Sequence, residues 1–514
     1  MRSPVLHVFA LVAFALASWQ RLAIAHAPIE GDRAYFTYFA QAVLRGEPIY
    51  AVDFLGYPPV GPLASAGAMA LGRLAGVATP LAPRYAALAL ALACVVLVYA
   101  VARRATGSAV AGLVAGLALA GMERWVWSAC ATLEPKHLVL GLALAAGAAL
   151  QARRPFLAGA AAALAAGCWQ PAGLVVPTAC LASVVWDARR APLRPLSRLL
   201  FGGAAGALPS LAYLAAHGAW AQWWLRAVEI PAAFELASAG GAPGRPLAVA
   251  RAEFGGDLAF FLAAGAGFAA FAWGSRRGGA RGLAEAWLGA RRGALPLQTL
   301  GWVAFSAWTF GGVADLYVLL PPVAFWAGVA VDGALRGLAR CGVGPRALRI
   351  AAALAVAGVA AYALLPSAGF LASGSRAMRG DHLGRQQRLA RAALELAGPG
   401  GGVAALAVEE LYAFGERRAP VPFLRLPEPW IAFLPRLGLA DCDAALAALV
   451  AARPAVVALD EGPSASACER GAGDHLRARG YRLARRLAHV ALYAPDAGPG
   501  AGTGLNGRAS PPRG

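Results

Sequence analysis

Charge is scarce in this chain. Asp, Glu, Lys and Arg make up only 14% of its 514 residues, against 59% apolar ones. A soluble globular protein is about a quarter charged, so a water-soluble enzyme of this length could not cover its surface. The apolar runs need lipid as their solvent. Lysine is nearly missing: Lys136 stands alone, and every other basic side chain is arginine or histidine. Cysteine is sparse, with seven residues and neither a CxxC nor a zinc-ligand spacing, so no His/Cys/carboxylate cluster predicts a bound transition metal. No phosphate-binding loop and no Ser-His-Asp pattern is present.

What charge there is has a sign and a place. The formal net charge is +19, carried by short arginine clusters between apolar runs: 103–104, 153–154, 189–198, 276–292 and 336–349. That is the positive-inside pattern of cytoplasmic loops. No basic patch is interleaved with stacking aromatics, which argues against nucleic acid as a partner. Cys94, Cys168 and Cys180 lie in apolar runs and read as buried thiols. Cys442 and Cys468 share a more polar C-terminal region and could pair if that region is extracytoplasmic.

Apolar runs of spanning length or nearly so fall at 5–25, 84–102, 106–121, 136–151, 156–169, 171–187, 198–216, 256–273, 296–311, 315–331 and 348–367. The N-terminal run ends in Ala25-His26-Ala27, which imitates a signal-peptide cleavage site, but it is long enough to span and is read as an uncleaved first helix. A further run, 60–77, holds Pro62, several glycines and Arg73. With the arginine loops inside, segments 26–83, 122–135, 217–255 and everything after about 368 fall outside only if 60–77 does not cross. It is therefore read as an interfacial or re-entrant helix. The expected architecture is an α-helical polytopic membrane protein of about eleven spans. It comprises a transmembrane module over 1–370, a soluble extracytoplasmic α/β domain over 371–495, and a disordered tail over 496–514.

Within the soluble domain, 403–408, 455–459 and 488–493 read as short buried strands, and 385–396, 444–452 and 474–479 as helices. In the loop 217–255, Trp220, Trp223 and Trp224 suit the headgroup level. They read as a short interfacial helix or as part of a groove for a lipid chain.

The candidate chemistry lies in the outer loops. Asp32 follows the first span and opens a helix with Arg33 and Tyr35. A carboxylate at this boundary can take a proton from an incoming hydroxyl nucleophile; the plainer alternative is that it N-caps the helix over 33–45. The second outer loop carries Glu123 and Arg124 and ends Glu134-Pro135-Lys136-His137. An ammonium beside an imidazole at the start of a span could hold a phosphate, with Glu134 as its partner. The alternative is a Glu-Lys pair with a snorkelling lysine. Gln170 at an outer hairpin tip, and Asp315 with Tyr317 at the start of a late span, are further candidates; at span ends charge is cheap, so each also fits a structural role.

These motifs resemble the GT-C superfamily of polyprenyl-phosphate-sugar glycosyltransferases, with protein O-mannosyltransferases and lipid A aminoarabinose transferases nearest in look. There an Asp opens the first outer loop, followed by a Tyr, a Gly-x-x-x-Tyr segment and a Pro-Pro that starts the next helix. Asp32, Tyr35, Gly46 to Tyr50, and Pro58-Pro59 after Tyr57 follow that order. Glu123 or Glu134 matches the second-loop acid, and Tyr317 with Pro321-Pro322 the late span opening. The chain departs in having Arg33 after Asp32 and Asp315-Leu316 before Tyr317. The resemblance implies an inverting transfer from a polyprenyl-phosphate-linked sugar to a glycan, lipid or protein acceptor at the outer face of the cell inner (plasma) membrane. Asp32 would be the general base, with Arg33, Tyr35, Tyr57, Glu123, Arg124, Glu134, Lys136, His137, Gln170, Asp315 and Tyr317 binding substrate. The resemblance implies no definite cofactor and leaves room for a divalent metal. The rival readings are a lipid or saccharide transporter, which predicts ionisable residues within spans or internal repeats, and a non-catalytic assembly protein, in which Asp32 would be dispensable.

Overall fold

The computed structural model of the protein describes residues 3–21, 28–29, 31–52, 56–129, 132–188, 193–233, 251, 254–276, 279–289, 294–308, 316–364, 381–421, 423–426, 431, 434–462 and 465–496. The chain divides into two compact units, Met1–Gly384 and Arg385–Gly514. Of the tail over 496–514, only Asp496 is among the described residues.

The first unit is helical. Its elements are α1 Pro4–Arg21, α2 Asp32–Leu44, α3 Ile49–Val52, α4 Val60–Leu74, α5 Ala82–Thr106, α6 Ala109–Gly121, α7 Glu123–Ala129, α8 Pro135–Gln151, α9 Pro155–Ala166, α10 Gln170–Ala188, α11 Arg194–Ala216, α12 Trp220–Trp224, α13 Leu258–Arg276, α14 Gly279–Leu288, α15 Leu295–Trp308, α16 Leu320–Arg340 and α17 Pro345–Leu364. Among the described residues, each of the eleven apolar runs overlaps one of these helices. Five stretches are long and apolar enough to cross a bilayer by length and composition: Thr79–Thr106, Arg194–Ala216, Gly255–Arg276, Tyr317–Arg340 and Pro345–Leu364. Others are short. The 13 residues of α6 rise only about 20 Å, against a hydrocarbon core of about 30 Å, so helix length alone does not fix the number of crossings.

Local chemistry explains the helix ends. Gly107 takes φ 77° and closes α5, its N–H donating to the Arg103 carbonyl. Ser108 then caps α6 by accepting from the Ala111 N–H. Glycine is the residue for the left-handed turn and serine for the next N-cap, so two residues suffice to reverse the chain. Residues preceding proline are pushed into extended backbone; this holds Glu134 at ψ 152° just ahead of Pro135 and α8.

Between helices in lipid, attraction comes from close packing, and small residues permit it. A Cβ on Gly159 would strike the Leu199 carbonyl, and Cβ atoms on Gly202 and Gly206 would strike the carbonyls of Phe156 and Ala160, so α9 and α11 meet backbone to backbone. Gly328 of α16 sits likewise on Ala111 of α6, and Gly121 at the end of α6 on Ala363 of α17. The 62 glycines thus include the contact surfaces of the bundle. Trp19 of α1 adds an indole hydrogen bond to the Ala120 carbonyl at 2.9 Å.

The segment 60–77 does form a helix, α4. Val60 donates its N–H to the Gly167 carbonyl at 2.9 Å, the Ser65 hydroxyl donates to the Leu133 carbonyl at 3.0 Å, and Gly61 abuts Pro135. Ala66 and Met69 receive Ala40 of α2. This helix therefore fixes both loop segments, 31–52 and 132–137. The tryptophan loop forms α12, continued by a π-helical turn Leu225–Glu229.

The second unit carries α18 His382–Ala397, which begins just before the division, then β1 Val403–Leu406, α19 Glu409–Gly415, α20 Cys442–Ala451, β2 Val456–Asp460, α21 Ala467–Ala478, β3 Tyr481–Leu487 and β4 Val490–Pro495. The sheet order is β1-β2-β4-β3. β1 and β2 are parallel, and β4 is antiparallel to both β2 and β3. The three strands and three helices expected from the pattern are present. β3 was not expected, because its YRLARRL sequence exposes both faces and so lacks the alternation that marks a half-buried strand.

Cys442 and Cys468 are joined, with Cα atoms 5.9 Å apart and 26 residues of separation. The bond ties the start of α20 to the start of α21. Closing a loop of this size removes about 3 kcal/mol of unfolded-state entropy. Replacing both residues, Cys442→Ser with Cys468→Ser, is expected to lower the melting midpoint of the second unit in the full-length protein. An unchanged midpoint would show that the bond contributes nothing to stability.

Candidate active site

The first outer loop is built around a helix buried almost all round: residues 34–42 of α2 are buried. Tyr35 meets Phe39 edge to face at 4.6 Å, and Phe36 meets Tyr57 at 5.1 Å. Asp32 is not the cap of this helix. Gly31 holds the N-cap at φ 55°, with no side-chain cap hydrogen bond, and Asp32 is the first helical residue. Its side chain is exposed, while its charge favours the positive end of α2.

The rest of the loop is pinned by hydroxyls. The Tyr213 hydroxyl of α11 accepts from the Ile49 N–H at 2.9 Å and donates to the Glu47 carbonyl at 3.2 Å. Tyr50 is fully buried and donates to the Tyr57 carbonyl at 2.9 Å. Gln170 donates its amide N–H to the carbonyls of Gly56 and Ala227; this fastens the end of the first loop to the tryptophan segment.

Beside Asp32 the segments 31–52 and 132–137 meet. Arg33 Nε lies 3.9 Å from Glu134 Oε1, and His137 Nε2 lies 4.0 Å from Glu134 Oε2. The His137 ring is buried; its Nδ1 faces the Thr132 carbonyl at 3.2 Å and so carries the proton. The ring stands at 5.0 Å against Tyr317, and Tyr317 stacks on Trp125 at 5.7 Å. Lys136 lies over the Trp169 ring, 4.8 Å from its centroid, a cation–π contact that orients the ammonium. Burial dominates the Glu134 carboxyl and, helped by Asp32, pushes it up to about 7; Arg33 and Lys136 pull the other way.

Three residues of this neighbourhood were not singled out from the sequence. Arg84, almost wholly buried at the start of α5, lies within electrostatic reach of Arg33. Asp257, just ahead of α13, is buried and accepts the Glu123 N–H at 3.3 Å, fixing the start of α7 and with it Glu123 and Arg124. Trp125 is buried behind Tyr317. Arg84 and Asp257 open apolar runs, where a charge reads as a span end; only the fold shows that both face the outer loops. Of the candidates, the structure gathers Asp32, Arg33, Glu134, Lys136, His137 and Tyr317, with Arg124 in electrostatic reach of Arg33. Tyr35, Tyr57 and Gln170 build the walls of the first loop. Asp315 lies outside the described residues.

An apolar groove of about 600 Å³ opens among Pro58 and Pro59, α9, α10, α11 and α12. Leu199, Leu200, Ala204 and Leu214 line its length, and Trp220 and Trp223 stand at its rim. Tyr57 links it to Phe36 and so to the helix that Asp32 opens. Among the described residues no group of three or more His, Cys, Asp or Glu side chains could hold a metal ion.

Residues 63–212 match the family model described as DolP-mannose mannosyltransferase. No curated protein matches the chain by sequence. Among solved structures, ArnT from Cupriavidus metallidurans bound to undecaprenyl phosphate superposes with a TM-score of 0.61 at 17% identity, covering 96% of this chain and 98% of that one. The Archaeoglobus fulgidus oligosaccharyltransferase in its apo form gives 0.52 at 12% identity, covering 88% and 69%. The same organism's AglB, in complex with an inhibitory peptide and a dolichol-phosphate, gives 0.52 at 13% identity over the same shares. These likenesses show a GT-C-like fold.

The raised Glu134 carboxyl carries a stability signature. An unfolded glutamate ionises near 4.5, whereas the folded one keeps its proton to about 7. Between those values the folded state binds more protons, so stability falls as pH rises through the window. The melting midpoint of the wild type is expected to drop between about pH 5 and about pH 7.5, and Glu134→Gln to flatten that slope. Identical pH profiles for the two proteins would place the proton elsewhere.

Proposed function

From this GT-C fold and the polar cluster at the meeting of its outer loops, we propose that the chain is an integral membrane glycosyltransferase that moves a sugar from a polyprenyl-phosphate donor to an acceptor at the outer membrane face. One observation carries the reading: an exposed carboxylate, Asp32, opens a buried helix beside a cluster of Arg33, Glu134 and Lys136, and that helix packs on Tyr57, next to the Pro58 that lines an apolar groove. The neighbours that hold undecaprenyl phosphate and dolichol-phosphate support the choice of carrier.

In this mechanism the polyprenyl tail occupies the groove over α9 to α12. The Asp32 carboxylate accepts the proton of the acceptor hydroxyl as its oxygen bonds to the anomeric carbon. The bond from that carbon to the phosphate oxygen breaks on the opposite face, so configuration inverts. The departing polyprenyl phosphate is held by Lys136 and Arg33, with Arg84 and Arg124 adding positive potential; such charge stabilisation is worth about 3 kcal/mol. Glu134, protonated below about 7, leaves these cations available to the phosphate. Tyr35, Tyr57, Glu123, His137, Gln170 and Tyr317 shape the site. Asp315 remains a candidate by motif, and no step is routed through a metal.

The outer-face assignment draws on sulfur chemistry. Disulfides persist in oxidising compartments, and the second unit contains one. The exposed Cys341, between α16 and α17 in an arginine-rich turn, is a free thiol, as a cytoplasmic loop requires. Together with the arginine clusters this supports about eleven crossings, the N-terminus inside, the C-terminal domain outside and α4 lying in the interface.

The reading is tested by reconstituting the protein with radiolabelled polyprenyl-phosphate mannose, glucose, galactose and aminoarabinose, with bilayer extracts as acceptors. Wild type is expected to transfer at least one sugar, and Asp32→Asn to lose about 10²- to 10⁴-fold in rate. Transfer from none of them by intact protein would remove the enzyme reading and favour a transporter or assembly role. A second variant, Ala204→Trp, fills the groove. It is expected to raise KM for long-chain donors while leaving a short-chain donor little changed; equal effects on both would place the tail elsewhere.

A further inference from the structure

The second unit has one strand that the fold leaves uncovered. β3 is one of the two outer strands of the sheet, paired among the described residues only with β4; the other, β1, is buried along its length. Residues 482–486 are exposed on both faces, although alternate side chains of a strand normally enter a core. The strand carries Arg482, Arg485 and Arg486, and the end of α21 adds Arg477 and Arg479 just ahead of it. Their internal partners are few and at the surface. Arg482 lies 3.7 Å from Asp496, Arg486 lies 2.6 Å from Glu461, and Arg477 pairs with Asp474. Arg479 and Arg485 make no ion pair among the described residues. Leu483, 43% exposed, stands among the guanidinium groups.

Two features decide what kind of partner suits this edge. A register shift interrupts the pairing between Leu483 and Arg485. A bulge and edge charges both discourage another strand from adding to a sheet, and the like charge disfavours a second copy of the same edge. What remains on offer is side chains: planar guanidinium forks, whose geometry matches phosphate oxygens, and one aliphatic side chain among them. The surface ion pairs they now make are weak and can be exchanged for others.

We propose that the β3 edge docks on the anionic phospholipid headgroups of the bilayer that holds the first unit. Charge complementarity selects this occupant, and the tether brings it within reach: α17 ends at Leu364 and α18 begins at His382, a connector that even fully extended spans no more than about 60 Å. Arg482, Arg485 and Arg486 take lipid phosphates, Arg479 adds charge, and Leu483 enters the headgroup layer. The proposal goes beyond sugar transfer and does not depend on it.

Hydrogen exchange on the full-length protein tests this, with nanodiscs of phosphatidylcholine alone compared with nanodiscs containing about one-third phosphatidylglycerol. Residues 481–487 are expected to exchange several-fold more slowly in the anionic discs. The protection should vanish in 0.5 M salt, where screening is nearly complete, and in Arg482→Glu/Arg485→Glu/Arg486→Glu. Equal exchange in the two discs overturns the proposal, and that comparison needs no variant. Protection by a soluble phosphorylated polysaccharide, without protection by the anionic bilayer, also overturns it and assigns the edge to an acidic glycan.

Discussion

Lipid gives a charged side chain almost nothing to interact with, so a charged cluster at its edge has to be solvated by the protein itself. The meeting of the segments 31–52 and 132–137 is organised by that constraint. Glu134 faces Arg33 and His137 at about 4 Å each, and Lys136 rests on the Trp169 ring. The start of α7 is closed by the Asp257 carboxylate. Acids and bases are thereby placed so that each offsets part of another's desolvation. The cost that remains appears in Glu134, whose proton is held to about 7. A phosphate arriving beside such a cluster would find cations only partly neutralised.

Backbone contact holds that arrangement in place. α4 reaches both outer loops because glycine at 61 lets it close on Pro135 and because Ser65 satisfies the Leu133 carbonyl. α9 and α11 pack through Gly159, Gly202 and Gly206, and the groove opens beside that contact, lined in part by Gly159 and Leu199. Small residues thus serve two ends: they let helices approach where no hydrophobic force drives them together, and they leave room where a chain of hydrocarbon can lie.

Hydropathy made the helices legible. All eleven apolar runs lie on helices, and the weak run over 60–77 is one too, because burial in lipid writes itself into consecutive residues. The soluble unit was legible where a strand is buried, as at Val403–Leu406 and Val456–Asp460, and illegible at Tyr481–Leu487, whose edge position leaves no face for alternation to mark. At the site, Asp32, Arg33, Glu134, Lys136 and His137 stood out as rare charges next to spans. Arg84 and Asp257 have the same chemistry yet were passed over, since a charge at the end of an apolar run has an innocent explanation that only tertiary contact can remove. The Gly31 cap belongs to the same class: sequence offered Asp32 as the capping residue, and the backbone gave that position to the glycine before it, leaving the carboxylate exposed.

The same logic separates the two kinds of arginine in this chain. Arginines between apolar runs are read through the bilayer's asymmetry, and their value lies in number rather than position. Arg336 illustrates them: it pairs with Asp332 one turn away at 2.6 Å and donates to the Thr106 carbonyl, work that any turn between two helices could demand. Arg33 and Arg84 are few and buried in part or whole, and Arg33 is set against the Glu134 carboxylate at the start of another helix. A side chain with a planar, permanently charged fork is costly to bury, and the fold holds these two near each other despite their repulsion. Placing like charges together concentrates positive potential at one point of the fold, and an anionic ligand is the kind of group such a potential would attract.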